Sequence, residues 1–271
     1  MPARRRSALA LLVLAAALQF GCKPVADPDA GRSPSARGFP KADRPVSGLN
    51  STQFSTEDQR DRLGEAKLVM KWSGIAPGMT VADIGAGEGY YTVRLAEKVG
   101  AKGRVLAEDI DSGAIERLGR RIVKERLDNV SIKLGAPDDP RLPGASFDRI
   151  FMVHMYHEVT EPYAFLWHLR PGLKPDGSVV VVDVDRPTDR HGIPPDLLFC
   201  EFAALGFRLA AFARNPELSG YYARFEPVGP RPAPAAIRPC RFGADGAGGR
   251  FAAAAADADS AAVPRGAPGG K

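Results

Sequence analysis

Apolar residues in this chain alternate between two rhythms from residue 56 to residue 225. Thr56-Glu57-Asp58-Gln59 has the spacing of a capping box, and Leu63, Lys67, Met70 and Trp72–Ile75 continue a partly apolar helical face, which predicts a helix entering the fold. After Pro77-Gly78, Thr80–Ile84 reads as a buried strand, and a glycine-rich stretch then opens a helix to about Val99. Arg104–Ala107 is the next strand; Ile115, Leu118, Ile122, Val123 and Leu127 recur at helical spacing, and Val130–Leu134 is strand again. The order βαβαβ implies a parallel sheet, because each helix carries the chain back across one face. Asp148–Val153, a helix opened by Pro162 and ending near Arg170, a turn at Lys174-Pro175-Asp176-Gly177, and Val179–Asp183 repeat the rhythm. Four consecutive valines predict burial on both faces of that last strand. A helix entered through Pro194-Pro195 carries Leu197, Leu198, Phe202 and Leu205, and two strands close the series, Phe207–Phe212 and Tyr221–Phe225. The connection containing Asn215-Pro216 is short, so this final pair runs antiparallel.

Outside this stretch the pattern stops. Arg4, Arg5 and Arg6 precede an apolar run from Ala8 to Leu18, a basic region and short apolar region of secretory type that is too short to span a membrane comfortably. It ends at Gln19-Phe20-Gly21-Cys22, which resembles a bacterial lipoprotein signal in which the cysteine is lipidated; plain cleavage and an uncleaved anchor are the alternatives. Residues 1–22 are therefore read as a signal or lipoprotein-like segment, 23–50 as a disordered linker, 51–229 as the folded domain and 230–271 as a disordered Pro/Gly/Ala-rich tail. The expected location is the periplasm, with membrane attachment through lipidated Cys22 or the apolar segment, or the cytoplasm if that segment is not used as a signal. In an oxidising compartment Cys200 and Cys240 are left to pair, with two unpaired thiols as the alternative.

Charge follows the same partition. The chain has 37 basic and 32 acidic side chains; the flanks hold 14 and 6 of them, which leaves 23 and 26 in residues 51–229. The folded part is mildly acidic, so the net +5 of the whole chain is no argument for a nucleic-acid groove, and no nucleic-acid partner is expected.

The residues that carry chemistry join the first strand to the first crossover helix: Val81-Ala82-Asp83-Ile84-Gly85-Ala86-Gly87-Glu88-Gly89-Tyr90. Glycines suit a tight turn with positive φ, where a ligand approaches bare backbone. A dinucleotide fingerprint needs its third glycine one residue later than Gly89, and Asp83 would repel a pyrophosphate, which disfavours a nicotinamide oxidoreductase. Asp83-Ile84-Gly85-Ala86-Gly87-Glu88-Gly89 instead resembles motif I of the class I S-adenosylmethionine-dependent methyltransferases, and the similarity of element order runs from about Thr56 to Phe225. The resemblance implies an α/β fold with a doubly wound, mostly parallel, seven-stranded Rossmann-like sheet ending in an antiparallel hairpin. It implies S-adenosylmethionine as cofactor, with Gly85, Ala86 and Gly87 lining its methionine portion, Asp83 beneath them, and Gly89 also in the cofactor-binding loop. Asp109, at the end of the second strand and followed by Ile110, would accept hydrogen bonds from the ribose hydroxyls; strand alternation turns Glu108 to the other face. Many family members place an acidic residue after the glycine that follows the third strand, but Ala136 stands there, so Asp138 or Asp139 is the expected adenine contact, with a solvated turn as the alternative.

His154, Tyr156, His157 and Glu158 follow the fourth strand, and His191 lies in the loop after the fifth, beside Asp183, Asp185 and Arg186. A histidine titrating near neutrality can take the proton of an attacking acceptor, so His154, His157 and His191 are the catalytic candidates, each weighed against a structural role. The same set invites a metal reading, but His154-x-x-His157 lacks the geometry of a zinc helix motif, and no metal is expected. The reading is methyl transfer to a small-molecule acceptor. The alternative is an exported ligand-binding or catalytically degenerate protein that keeps the methyltransferase fold.

Overall fold

The computed structural model describes residue 27, residues 29–48, 56–215, 218 and 220–241. The signal-like segment 1–22 and residues 242–271 lie outside the described residues.

The predicted capping box is present, Thr56 Oγ1 accepting from Gln59 N–H and Gln59 Oε1 accepting from Thr56 N–H. The entering helix is two helices, α1 (Glu57–Leu63) and α2 (Glu65–Trp72), because Gly64 adopts a left-handed conformation at φ 73° that ends one and begins the other. The chain continues through β1 (Thr80–Ile84), α3 (Tyr90–Val99), β2 (Arg104–Asp109), α4 (Ser112–Glu125), β3 (Val130–Leu134), β4 (Phe147–Val153), α5 (Pro162–Leu169), β5 (Leu173–Asp183), α6 (Pro195–Ala204), β6 (Phe207–Asn215) and β7 (Gly220–Pro227). The expected turn at 174–177 is an excursion within β5: Phe147 pairs with Leu173 and Arg149 with Ser178, so four residues loop out of the ladder.

The seven strands form one sheet in the order β3-β2-β1-β4-β5-β7-β6. The first five are parallel, and β7 runs antiparallel to both β5 and β6. This is the expected doubly wound α/β sheet with a C-terminal hairpin. The four valines of β5 divide between its faces: Val179 and Val181 pack with α5 and α6, and Val180 and Val182 pack with α2 and α3. Burial on both faces explains their lack of alternation.

Where the sequence pattern stops, the fold does not. Residues 27–32 belong to a separate N-terminal unit, in which Arg32 pairs with Asp29 at 2.6 Å. Residues 33–48, expected as linker, lie on the domain with Ala36, Phe39, Arg44 and Ser47 buried. Phe39 meets the Trp167 ring edge-on at 5.4 Å, and Arg44 Nε donates to Glu201 Oε1 at 2.8 Å. Past residue 230, expected as tail, Pro232 accepts from Trp167 Nε1, Ile237 is buried, and Cys240 forms a disulfide with Cys200. Both segments are anchored by isolated side chains at irregular spacing, which leaves no periodic signal to read.

Candidate cofactor and active site

In a parallel sheet the strand C-termini and the loops beyond them meet along one rim. A cavity of about 1050 Å³ opens there, and Gly85, Ala86 and Gly87 form one wall. Gly85 sits at φ 67°, and a Cβ there would lie 2.9 Å from Met155 Cγ, so the position needs glycine for both conformation and space. Asp83 is buried below the loop and accepts from Thr92 Oγ1 at 2.6 Å, which ties β1 to α3. Burial pushes its carboxyl up to about 6. Gly89 does not line the cavity as expected; it begins α3 at φ 89°, and a Cβ there would meet Leu118 Cδ1 at 2.5 Å, so it serves helix packing.

Asp109 and Ile110 also line the cavity, beside the loop. Asp109 Oδ2 accepts from Gly87 N–H at 2.8 Å, and its Oδ1 accepts from Asp111 N–H at 2.9 Å. One carboxylate thus holds the glycine loop and the entrance to α4 together. Glu108 also reaches the cavity, a role that strand alternation alone argues against. Its side chain turns toward Gly135, where a Cβ would fall 1.5 Å from Oε1, and that oxygen is buried without a hydrogen-bond partner among the described residues. Burial, reinforced by the charge of Asp109, pushes Glu108 up to about 8.

Neither expected adenine contact lines the cavity. Asp138 is buried and accepts from Ser33 Oγ at 2.7 Å, which fastens the N-terminal segment, while Asp139 accepts from Arg141 N–H and closes the turn. The turn reading of 135–139 is the one the geometry favours, because Ala136 and Asp139 bridge each other's backbone.

The three histidines separate into two places. His154, held at φ 54°, lines the cavity, with its Nε2 3.6 Å from Glu65 Oε2. Burial would raise Glu65, but the hydrogen bonds from His154 and Arg60 outweigh it and hold the carboxyl down at about 2. His157 is fully buried one turn further on, and its Nδ1 lies 2.9 and 3.0 Å from the two carboxylate oxygens of buried Asp183. His191 meets it edge-on, with ring centroids 5.8 Å apart. Between them stands Glu158, 3.8 Å from His157 Nε2 and 4.0 Å from His191 Nδ1, and Glu158 also lines the cavity. Burial raises Glu158 to about 7, against the opposing pull of His157.

The supports of this region were not legible in sequence. Arg44, from the N-terminal segment, donates to the backbone carbonyls of His157 and Val159, and the amide of His191 donates to Ser47 Oγ at 2.9 Å. The one available signal was the adjacency of Glu158 to His157; Arg44 and Ser47 sit in a stretch of unremarkable composition.

Residues 81–177 match the family model described as a methyltransferase domain. The ubiquinone/menaquinone biosynthesis C-methyltransferase UbiE of Shewanella sp. (strain ANA-3) is 32% identical over 123 residues, 45% of this chain and 49% of that protein. The same enzyme of Shewanella baltica (strain OS155 / ATCC BAA-1091) is 31% identical over 123 residues, again 45% and 49%. The chain thus spans about half the length of the curated relatives it matches. Among solved structures, a SAM-dependent methyltransferase from Aquifex aeolicus superposes with a TM-score of 0.55 at 24% identity, covering 64% of this chain and 97% of that one. The [4+2]-cyclase SpnF superposes with a TM-score of 0.55 at 18% identity, covering 72% and 92%. These two likenesses speak to the fold. The strands that build the glycine loop and its rim thus lie within the stretch, residues 81–177, that is similar to a methyltransferase domain.

Proposed function

We propose that this protein transfers a methyl group from S-adenosylmethionine to a small-molecule acceptor. The observation that carries the reading is the Gly85–Gly87 loop, glycine at two of the three positions that line the cavity and clasped by Asp109 through the Gly87 amide. The residues fit the cofactor. A backbone wall without phosphate-binding charge suits an amino-acid end, and a carboxylate at the end of β2 suits a ribose diol. When bound, the cofactor supplies an electrophilic methyl group on a sulfonium. The chain's own part is to hold acceptor and donor in line and to exclude water, for which the cavity volume is ample. His154, on the cavity wall, is the group placed to accept a proton from the acceptor, and its contact with Glu65 orients the ring.

We further propose that the protein is exported and held at the membrane through Cys22 or the apolar segment before it. The Cys200–Cys240 disulfide supports an oxidising location. It also favours a second reading, an exported ligand-binding protein that keeps the fold without turnover, because S-adenosylmethionine is made in the cytoplasm. SpnF, a [4+2]-cyclase, is an instance of this fold with a different chemistry in its name.

Calorimetric titration of the full chain with S-adenosylmethionine and S-adenosylhomocysteine, with NAD as control, tests the cofactor. The full chain is required, because residues 33–48 and 230–241 are part of the fold. Micromolar binding of the first two is expected. Binding without methyl transfer to any acceptor in a screen of phenols, thiols, amines and quinols favours the second reading, and no binding overturns the first.

A further inference from the structure

Buried His157 and half-buried His191 have an arrangement that proton transfer alone does not explain. Asp183 presents both carboxylate oxygens to His157 Nδ1 and is itself fully buried. A carboxylate only accepts, so Nδ1 carries the proton and Nε2 presents its lone pair. That lone pair is buried and receives no hydrogen bond among the described residues; His191 Nδ1 is in the same condition. Two buried imidazole nitrogens aimed at the same carboxylate, Glu158, form a convergent set of ligand atoms without a donor to serve them.

From this geometry we infer that His157 Nε2, Glu158 and His191 Nδ1 form a binding site for a divalent transition-metal ion, with Asp183 as the group that orients His157. One ligand atom from each residue lies within 4.8 Å of the others. Ligands about 2.1 Å from a common ion in tetrahedral order stand roughly 3.4 Å apart. The 3.8 and 4.0 Å separations from Glu158 lie close to that, and the two imidazoles, within 4.8 Å of each other, draw together by up to about 1.4 Å when an ion binds. Two imidazoles and one carboxylate suit zinc, iron, cobalt or manganese in their divalent states better than magnesium or calcium, which take all-oxygen sets. Three protein ligands leave coordination positions open, as in catalytic metal sites. The aspartate–histidine–metal relay is the usual way a protein fixes the tautomer of a ligating imidazole.

The backbone is built to the same end. His191 is held at φ 53°, a conformation that disfavours a side chain of its size, and its amide is pinned by Ser47, whose hydroxyl donates onward to Thr188 O at 2.6 Å. Arg44 grips the carbonyls on both sides of Glu158. The segment running over the domain from residue 33 thus clamps both ligand-bearing turns. A simple base assisted by Asp183 would need His157 Nε2 at the cavity surface, yet His157 is fully buried and the cavity is reached through Glu158. An ion here would adjoin the methyl-donor loop and could take an acceptor's heteroatom; this last clause alone rests on the cofactor reading.

The test uses the purified full chain, freed of tag and dialysed against chelator, titrated with Co²⁺ and then with Zn²⁺ in competition. One equivalent of Co²⁺ per chain is expected, with visible d–d absorption of a nitrogen-and-oxygen site that Zn²⁺ abolishes. His191→Ala and Glu158→Gln should each weaken Co²⁺ binding by about tenfold or more, with unfolding midpoints showing that both variants are folded. His191 is the more exposed of the two histidines, so its variant guards against a simple folding failure. Absence of saturable Co²⁺ and Zn²⁺ binding by folded wild type, or unchanged affinity in both variants, overturns the site. Titration of the same preparations with S-adenosylhomocysteine reports on the cofactor separately, so either assignment can fail while the other stands.

Discussion

Two neighbouring carboxylates at the end of β2 do opposite things. Asp109 is served by two backbone amides and faces the cavity, while Glu108 is buried with Oε1 unserved. Asp109→Ala should weaken S-adenosylmethionine binding by ~1.5–3 kcal/mol, one charged hydrogen-bond partner's worth, measured by calorimetry; an unchanged dissociation constant rejects the ribose assignment. Glu108 makes a prediction about pH. Its folded carboxyl keeps its proton to about 8, whereas the unfolded chain loses it near the ordinary value of 4.5. Between those limits the folded state binds more protons, so stability falls as pH rises from about 5 to 8, and Asp83, raised to about 6, adds the same sign over its lower part. Glu108→Gln removes the larger slope: its melting temperature should exceed wild type at pH 8.5, and the gap should shrink toward pH 5. A gap of constant size would mean that the carboxyl is solvated or served in solution. Asp109 was legible in sequence because it ends a strand at a set distance from a glycine loop. The burial of Glu108 was not, because it depends on Gly135, just past the neighbouring strand β3, leaving room for it.

At the level of elements, the short turn after β4 carries His157 and Glu158 and depends on a partner more than a hundred residues earlier. Arg44 pairs with Glu201 of α6 while bonding the carbonyls on either side of Glu158, and Glu201 also accepts from Tyr156 Oη at 2.8 Å. Both side chains of the ion pair are essentially excluded from solvent. Such a pair adds little over an apolar substitute, but removing one member strands the other, at a cost of about 3–5 kcal/mol. Arg44→Ala should therefore lower denaturant stability by that amount, read as a shift of midpoint, while Arg44→Ala with Glu201→Leu should recover much of it. A single variant as stable as wild type would show that residues 33–48 do not dock in solution. The anchors of the N-terminal segment, Ala36, Phe39, Arg44 and Ser47, are too few to repeat along a helix or a strand, which is why the sequence reading leaves it as a linker.

The whole molecule is closed by the Cys200–Cys240 bond, which ties α6 to the chain beyond β7 across a separation of 40 residues. A loop of that length implies a contribution of roughly 4 kcal/mol through restriction of the unfolded chain. Reduction, or Cys240→Ser, should lower the thermal midpoint by several degrees without abolishing the sheet, because Ile237 and the Trp167–Pro232 hydrogen bond still fasten the segment. Non-reducing mass mapping of protein recovered from its native compartment should find the two cysteines joined. Free thiols there would contradict export. Among the described residues no helix is long and apolar enough to cross a membrane.

The sequence by itself determined the order of strands and crossover helices, the antiparallel closing pair and the glycine loop with Asp109. Each is written in local terms: unbroken apolar runs, helical spacing, a short connection, glycines at a strand end. Only the tertiary structure decided what lies outside those local patterns. It turned Gly89 to helix packing and Asp138 to holding Ser33, split the candidate histidines into His154 on the cavity wall and His157 with His191 beneath it, and laid residues 33–48 across the domain. Those outcomes depend on contacts between residues far apart in sequence, such as Arg44 with Glu201 across 157 positions, and no periodicity along a chain encodes which distant side chains its folding brings together.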